Sequence, residues 1–325
     1  MDTPPHLELQ HREAKAVGCL IGLAIGDALG DLGRDNEYRK RYGLALEVNA
    51  QAKSTDDTEF AVLTARTLLD CRGDLTGEAV LRAWQRYILD QGGVFERGGQ
   101  PLYGAVANLR RGILPPLSGR DNVAHYDDGA AMRIAPIGIL CAGDPERAAQ
   151  LAAVDAQISH HADGIWAAQA IAAAVAVAMV DGSTDEVLAA AAARIPEDSW
   201  LGRGYARAMR ICDAKPDIMA AWEPLHSELW TPSHSAAAEA VPQALALVRL
   251  TGGDPRQGLF WAANFGRDAD TIGALVGALA GARHGVQAFP DAWIEAVRRP
   301  SGVCLRFAAQ EDIVELAGRL AALIR

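Results

Sequence analysis

Residues 18–30 read GCLIGLAIGDALG, an apolar run in which Gly18, Gly22 and Gly26 recur at every fourth position. Positions four apart share one face of an α-helix, and glycine on that face lets a second backbone come close. A matching stripe, Gly273, Gly277 and Gly281, lies near the other end of the chain. Such spacing also pairs helices inside bilayers, but the most apolar run, Ile165 to Val180, contains Gln169 and falls short of the ~20 residues that a spanning helix needs. The stripes therefore predict two tightly packed helices in the middle of a soluble fold, and the two could face each other.

Working outward, helical periodicity recurs along the chain and strand-like alternation is nearly absent. The spacing predicts helices over 11–29, 58–71, 76–91, 101–111, 130–142, 146–158, 164–180, 184–193, 200–212, 235–250, 254–264, 271–284, 290–296 and 310–324. Pro115-Pro116, Gly182-Ser183 and Gly252-Gly253-Asp254-Pro255 punctuate them as loops. The expectation is an all-α fold spanning 1–325 as one domain, with 1–14 as a flexible extension. With 50% apolar but only 6% aromatic residues, the core is filled mainly by Ala, Leu, Val and Ile.

The net charge of −10 argues against a sequence-independent grip on nucleic acid or on an anionic membrane, both of which need a basic surface. Five scattered cysteines without metal-ligand spacing fit buried thiols in a reducing compartment. The polar start of the chain lacks the basic-then-apolar pattern of a signal peptide, so a cytoplasmic protein is expected, plausibly a monomer.

Two acid clusters stand apart from this pattern, Ser54-Thr55-Asp56-Asp57-Thr58 and Asp268-Ala269-Asp270-Thr271, each just before an apolar run. Helix capping explains part of each: Asp56 as a cap with Glu59 reaching back, and Asp270 as the cap of a helix beginning near Ile272. Capping leaves Thr55, Asp57 and Asp268 as surplus oxygen donors. Four carboxylates within ~4 Å would repel by roughly 4 kcal/mol per pair at an effective dielectric near 20, so their convergence calls for compensating charge. Oxygen-only donors suit two magnesium ions, with manganese as the alternative, rather than zinc.

Gly129-Ala130-Ala131-Met132-Arg133 follows a polar loop and could offer backbone N–H groups to a diphosphate at a helix start. Spacing alone favours a plain helix start with Arg133 in a surface ion pair. His160, in Ser159-His160-His161, reads as a cap, a core group or a contact to phosphate or ribose. Glu96 could meet a basic group on a substrate, although a solvated loop carboxylate is the default. Trp222, Trp230 and Trp261 read as core or interface anchors.

Taken together, these fragments resemble the ADP-ribosylglycohydrolase family from about Gly18 to Gly285. The likeness rests on Gly22-Leu23-Ala24-Ile25-Gly26-Asp27-Ala28-Leu29-Gly30, Thr55-Asp56-Asp57-Thr58 and Gly129 through Pro136. Ser159-His160, Glu239-Ala240-Val241-Pro242 and Gly266-Arg267-Asp268-Ala269-Asp270-Thr271 continue it in the family's order. It implies a compact orthogonal helical bundle with two magnesium or manganese ions in a central cleft. Thr55, Asp56 and Asp57 would bind one ion, Asp268 and Thr271 the other, with Asp270 between them. Gly129 to Met132 and His160 would face ADP-ribose, and Asp27 would act in packing or behind the ligands.

The implied reaction is hydrolysis of the bond between ADP-ribose and an acceptor, most readily arginine of a modified protein, with Asp56 or Asp57 as base. O-linked or small-molecule adducts, or a non-catalytic ADP-ribose reader, are the alternatives. Three departures bear on specificity. The acidic loop common after the first motif here reads Asp31 to Arg39, leaving Asp31, Asp35 or Glu37 as a gate. Arg267 stands where a second glycine is common and would add charge beside the metals. The loop at Tyr103-Gly104 lacks the usual aspartate.

Overall fold

The computed structural model describes the backbone of residues 5–324 and the side chains of 10–324. Its regular structure is helical: seventeen α-helices and three short 3-10 turns, with one isolated bridge, Asp127 to Ala236, among the described residues. The all-α expectation therefore holds. Three helices escape the periodicity, Asn36–Tyr42, Leu117–Arg120 and Ile218–Ser227. The first has no buried residue, the second spans a single turn and the third contains Pro224, so none presents a clean apolar stripe.

The helix Pro5–Arg34 forms the middle of the molecule. It runs antiparallel to the helix Ala269–His284, since Gly18 meets Gly281, Gly22 meets Gly277 and Gly26 meets Gly273. At each of these positions an added Cβ would collide with the backbone of the opposing helix. The seam continues through Gly30 against the Ala269 carbonyl and Gly33 against that of Ala263. By length and composition Gln10–Arg34 could cross a bilayer, but 94% of its most apolar window is buried in this fold. An apolar surface on every side is what a central helix requires.

Two expectations about boundaries change. The stretch 1–14 is helical from Pro5 onward, where proline suits the first helical position; residues 1–4 lie outside the described residues. His11 and the buried Lys15 bind Asp181 at 3.2 and 2.6 Å, tying this end to the segment after the helix Asp163–Ala178. The helix expected over 130–142 is confined to Ala135–Leu140, preceded by turns. Pro136 would clash with the carbonyl of Met132 if helix continued upstream, and its missing N–H is tolerated only in a first turn.

Candidate active site

Where the glycine seam ends, the last turn of Pro5–Arg34 and the first turn of Ala269–His284 lie side by side. The start of the helix Asp56–Asp70, the loop 97–100, the turn 127–132 and the segment 234–235 close around them. They enclose a cavity of about 440 Å³ lined by six carboxylates, Asp56, Asp57, Asp127, Asp128, Asp268 and Asp270. Arg34, Arg97, Gly129, Met132, His234 and Thr271 complete much of the wall.

Asp27 builds the first acid cluster from behind. Fully buried, it accepts hydrogen bonds from the Thr55 N–H (2.9 Å), the Thr55 hydroxyl (2.7 Å), the Thr58 N–H (3.2 Å) and the Thr58 hydroxyl. Burial raises its pKa to about 7, against the opposing pull of these donors. Thr55, not Asp56, caps the helix Asp56–Asp70: its hydroxyl accepts from the Asp57 N–H at 3.4 Å. Nor does Glu59 close a capping box. It is buried and accepts from the N–H groups of Val303 (3.1 Å), Cys304 (3.0 Å) and Leu305 (2.7 Å), anchoring a distant loop.

Freed from capping, Asp56 and Asp57 line the cavity. Asp56 Oδ2 accepts from the Gly99 N–H at 2.8 Å, and burial together with Asp270 pushes its pKa to about 8. Asp57 shares its Oδ2 with the Thr55 hydroxyl at 3.1 Å, while Oδ1 has no hydrogen-bond partner among the described residues. Burial, with Asp27 and Asp270 adding to it, holds the Asp57 pKa well above the usual carboxylate range.

On the facing wall Asp268 occupies the cap position of Ala269–His284 without a capping bond. Its Oδ1 instead accepts from Arg34 Nη1 at 2.7 Å, and the same Nη1 donates to Asp270 Oδ1. Burial and the neighbouring Asp270 raise the Asp268 pKa despite Arg34. Asp128 is buried, its Oδ2 also unpartnered, and burial beside Asp268 and Asp127 raises its pKa strongly. His234 Nε2 stands 3.6 Å from Asp268 Oδ1.

Asp27, Asp57 and Asp270 can each bring one oxygen within 4.8 Å of the others. Buried carboxylates so close, with the Asp57 Oδ1 orphaned and the Asp128 Oδ2 orphaned in the same cavity, and without sulfur among them, suit hard divalent cations such as magnesium or manganese. A cation would return to these oxygens the compensation that burial has removed. The donor set thus fits the metal that the sequence implies.

The other sequence-derived candidates are placed unevenly. Thr271 lines the cavity; Thr55 is buried behind it. Gly129 and Met132 also line it, but the Gly129 N–H donates to Asp127 Oδ1 at 2.7 Å and the Met132 N–H to the Asp128 carbonyl at 3.0 Å, so neither is a free donor. Ala130 and Ala131 are fully buried. His160 lies behind Gly129, its Nδ1 2.8 Å from the Ser159 hydroxyl and its Nε2 3.7 Å from Asp127 Oδ1; burial lowers its pKa and keeps it neutral.

Glu96 is exposed and outside the cavity wall, because its loop turns inward only from Arg97, which adopts φ +65°. Arg133 is not on the surface: fully buried, it binds Asp155 (2.8 Å), the Gly129 carbonyl (2.9 Å) and the Ser159 hydroxyl (3.1 Å), bracing the 127–132 turn.

Among the three gate candidates, Asp35 caps Asn36–Tyr42 and Glu37 pairs with Lys40 at 2.7 Å, whereas Asp31 pairs with Arg97 at the cavity rim. Arg267 does not add net charge beside the acid clusters. It binds the buried Glu239, donates to the Thr231 carbonyl at 2.7 Å and adopts φ +56°, the backbone form for which glycine would be the easier choice. Sequence reasoning missed Asp127, Asp128, Arg34, Arg97 and His234 as wall residues. The adjacent aspartates just before Gly129 were the one local signal for two of them.

A family model described as ADP-ribosylglycohydrolase matches residues 8–325. An uncharacterized protein of Archaeoglobus fulgidus is 31% identical over 300 residues, covering 88% of this chain and 92% of that protein. ADP-ribosylarginine hydrolase Tri1 of Pseudomonas putida is 28% identical over 295 residues, covering 87% and 74%. Among solved structures, an ADP-ribosylglycohydrolase-related protein complex matches with a TM-score of 0.66 and 24% identity, over 97% of this chain and 100% of that one, a likeness of fold.

Proposed function

The chain belongs to the ADP-ribosylglycohydrolase family, whose activity is hydrolysis of ADP-ribosyl adducts, and on that footing we propose that it cleaves the N-glycosidic bond between ADP-ribose and arginine of a modified protein. The observation that carries the site assignment is the convergence of Asp57, with its orphaned Oδ1, and Asp270 from opposite ends of the chain. Asp56, Asp57, Asp268, Asp270 and Thr271, backed by Thr55, are the residues that would hold two magnesium or manganese ions. When bound, such ions supply positive charge that polarises ribose hydroxyls and makes water more acidic.

The chain's own groups do the rest. Gly129 and Met132 form the part of the wall that the ribose would meet. Arg97, partly exposed at the mouth, is suited to the diphosphate. Asp56 is the base: it lines the cavity, and the Gly99 N–H fixes one of its oxygens, which orients the carboxylate to take a proton from water. The water oxygen bonds to C1″ as the C1″–N bond breaks, and the proton passes to the departing guanidine nitrogen.

Arg34 favours a second reading. It adds positive charge to the cavity wall, which suits a cationic arginine acceptor less well than an O-linked adduct.

The test is release of free ADP-ribose from arginine-linked and serine-linked protein adducts, with magnesium and after exhaustive chelation. Chelation should abolish turnover, and Asp270→Asn should lower cation affinity and rate together, the rate by at least ~100-fold. Full activity after chelation would remove the cations from the reaction, and release from serine adducts alone would replace arginine as acceptor.

A further inference from the structure

We propose that Arg34 is a resident cation at Asp268 and Asp270, so that this half of the cluster accepts a divalent ion only when the guanidinium moves away. The inference rests on the cation-binding reading above.

The carboxylates divide unevenly. Arg34 Nη1 donates to Asp268 Oδ1 at 2.7 Å and also to Asp270 Oδ1, occupying lone pairs that an incoming ion would need. Arg97 Nη2 stands 3.9 Å from Asp270 Oδ2, a looser contact, and spends its close ion pair on Asp31. Asp57 Oδ1 and Asp128 Oδ2, by contrast, have no hydrogen-bond partner among the described residues, although both residues are at most 2% exposed. Asp268 and Asp270 already hold an arginine, whereas these two oxygens hold none.

Position makes Arg34 able to leave. It is the last residue of Pro5–Arg34, and its side chain is 31% exposed while the carboxylates it binds are 6% and 4% exposed. The backbone beneath it is fixed, because Gly30 and Gly33 press on the carbonyls of Ala269 and Ala263. Only the side chain therefore has to swing. An arginine does not lose its proton in the working pH range, so the competition is relieved by movement and not by deprotonation. The first divalent ion goes to the oxygens that Arg34 leaves free, those of Asp57 and Asp128, and the second binds more weakly because it must displace Arg34.

The test is a manganese titration of the cation-free full chain, with free ion followed by electron paramagnetic resonance and heat by calorimetry. Wild type should show two classes of site at least tenfold apart. Arg34→Gln should tighten the weaker class by something on the order of 10- to 100-fold, the usual size of effects from groups bound to metal ligands. Arg97→Gln should change it far less.

Without cation, Arg34→Gln should also melt earlier than wild type and regain the difference when manganese is added. If that variant fails to fold without the ion, Arg34→Lys, which keeps the charge and loses the planar fork, should show a smaller gain in the same direction. Two equal tight sites in wild type, an Arg34→Gln titration that matches wild type, or no manganese binding would each overturn the proposal. A protein that titrates as described yet cleaves no ADP-ribosyl adduct would sink the proposed reaction and uphold the role of Arg34.

Discussion

The same two helices, Pro5–Arg34 and Ala269–His284, are joined in opposite ways at their two ends. Along Gly18, Gly22 and Gly26 they meet backbone to backbone with no room for a methyl group, and nothing along those stripes is charged. One turn further on, the same pair carries Asp27, Asp31 and Arg34 on one helix and Asp268 and Asp270 on the other. The first region gains from burial and close packing. In the second, several carboxylates are removed from water with incomplete compensation, which opposes folding. The contrast teaches that the seam is what makes the acid cluster possible: a rigid, apolar contact sets the spacing of charges that would otherwise separate.

Breaking the seam should have the largest effect. Gly277→Leu drives a side chain into the Gly22 carbonyl, where the obstacle is backbone and cannot rotate aside. Overpacking usually costs about 1–3 kcal/mol, and a collision with a fixed backbone belongs at or beyond the upper end of that range. Thermal unfolding should show a drop of ~6 °C or more, or no soluble protein. A variant that melts like wild type would show that the helices can separate freely and that the seam does not set the site.

The acid end should respond to pH in a way the seam cannot. Burial raises the pKa of Asp27 to about 7 and of Asp56 to about 8, and it raises Asp57, Asp128 and Asp268 as well. A carboxyl that binds its proton more tightly when folded contributes stability below its unfolded pKa near ~4, and that contribution is lost as pH rises through the folded value. Without divalent ions, stability supplied by this cluster should therefore decline between about pH 4 and 8. Magnesium or manganese at ~100 times its dissociation constant should add about 2.7 kcal/mol at pH 8. At pH 5, where protons occupy the oxygens, it should add much less. Calorimetric melting at both pH values decides: an equal increment at each would mean that the ion does not bind these carboxylates.

How much of this could be read from the chain depends on the distance over which each residue finds its partner. The glycine stripes and most helices were legible because spacing along one element determines which face is buried. The acid clusters were legible as local strings. Their capping roles differ from the local reading, since Thr55 and Asp56 are adjacent at the helix start and only Asp27, a residue of another helix, decides that Thr55 turns inward. Glu59 and Arg267 were misread for the same reason: one captures the loop at 303–305 and the other a buried glutamate, Glu239. Arg34 lies beyond the helix expected over 11–29, in the stretch read as a loop, and nothing local marks it until Ala269–His284 is laid against it.

The smallest expected effect tests where the site stops. Glu96 was a reasonable candidate while the loop was known only as Phe95-Glu96-Arg97-Gly98-Gly99-Gln100, because any of its polar groups could have faced a substrate. In the fold the loop is divided at Arg97: its positive φ turns the following glycines inward, where the Gly99 N–H holds Asp56, and leaves the Glu96 side chain in solvent. The Glu96 backbone N–H is bonded to the Val303 carbonyl at 3.2 Å, a contact that no side-chain change removes. Glu96→Gln should therefore change stability by less than about 0.5 kcal/mol, as surface substitutions usually do, and leave kcat and KM for an ADP-ribosyl adduct near their wild-type values. A rise in KM with kcat unchanged would mean that the substrate reaches past the cavity mouth onto the outer face of this loop, and the boundary drawn at Arg97 would have to move outward.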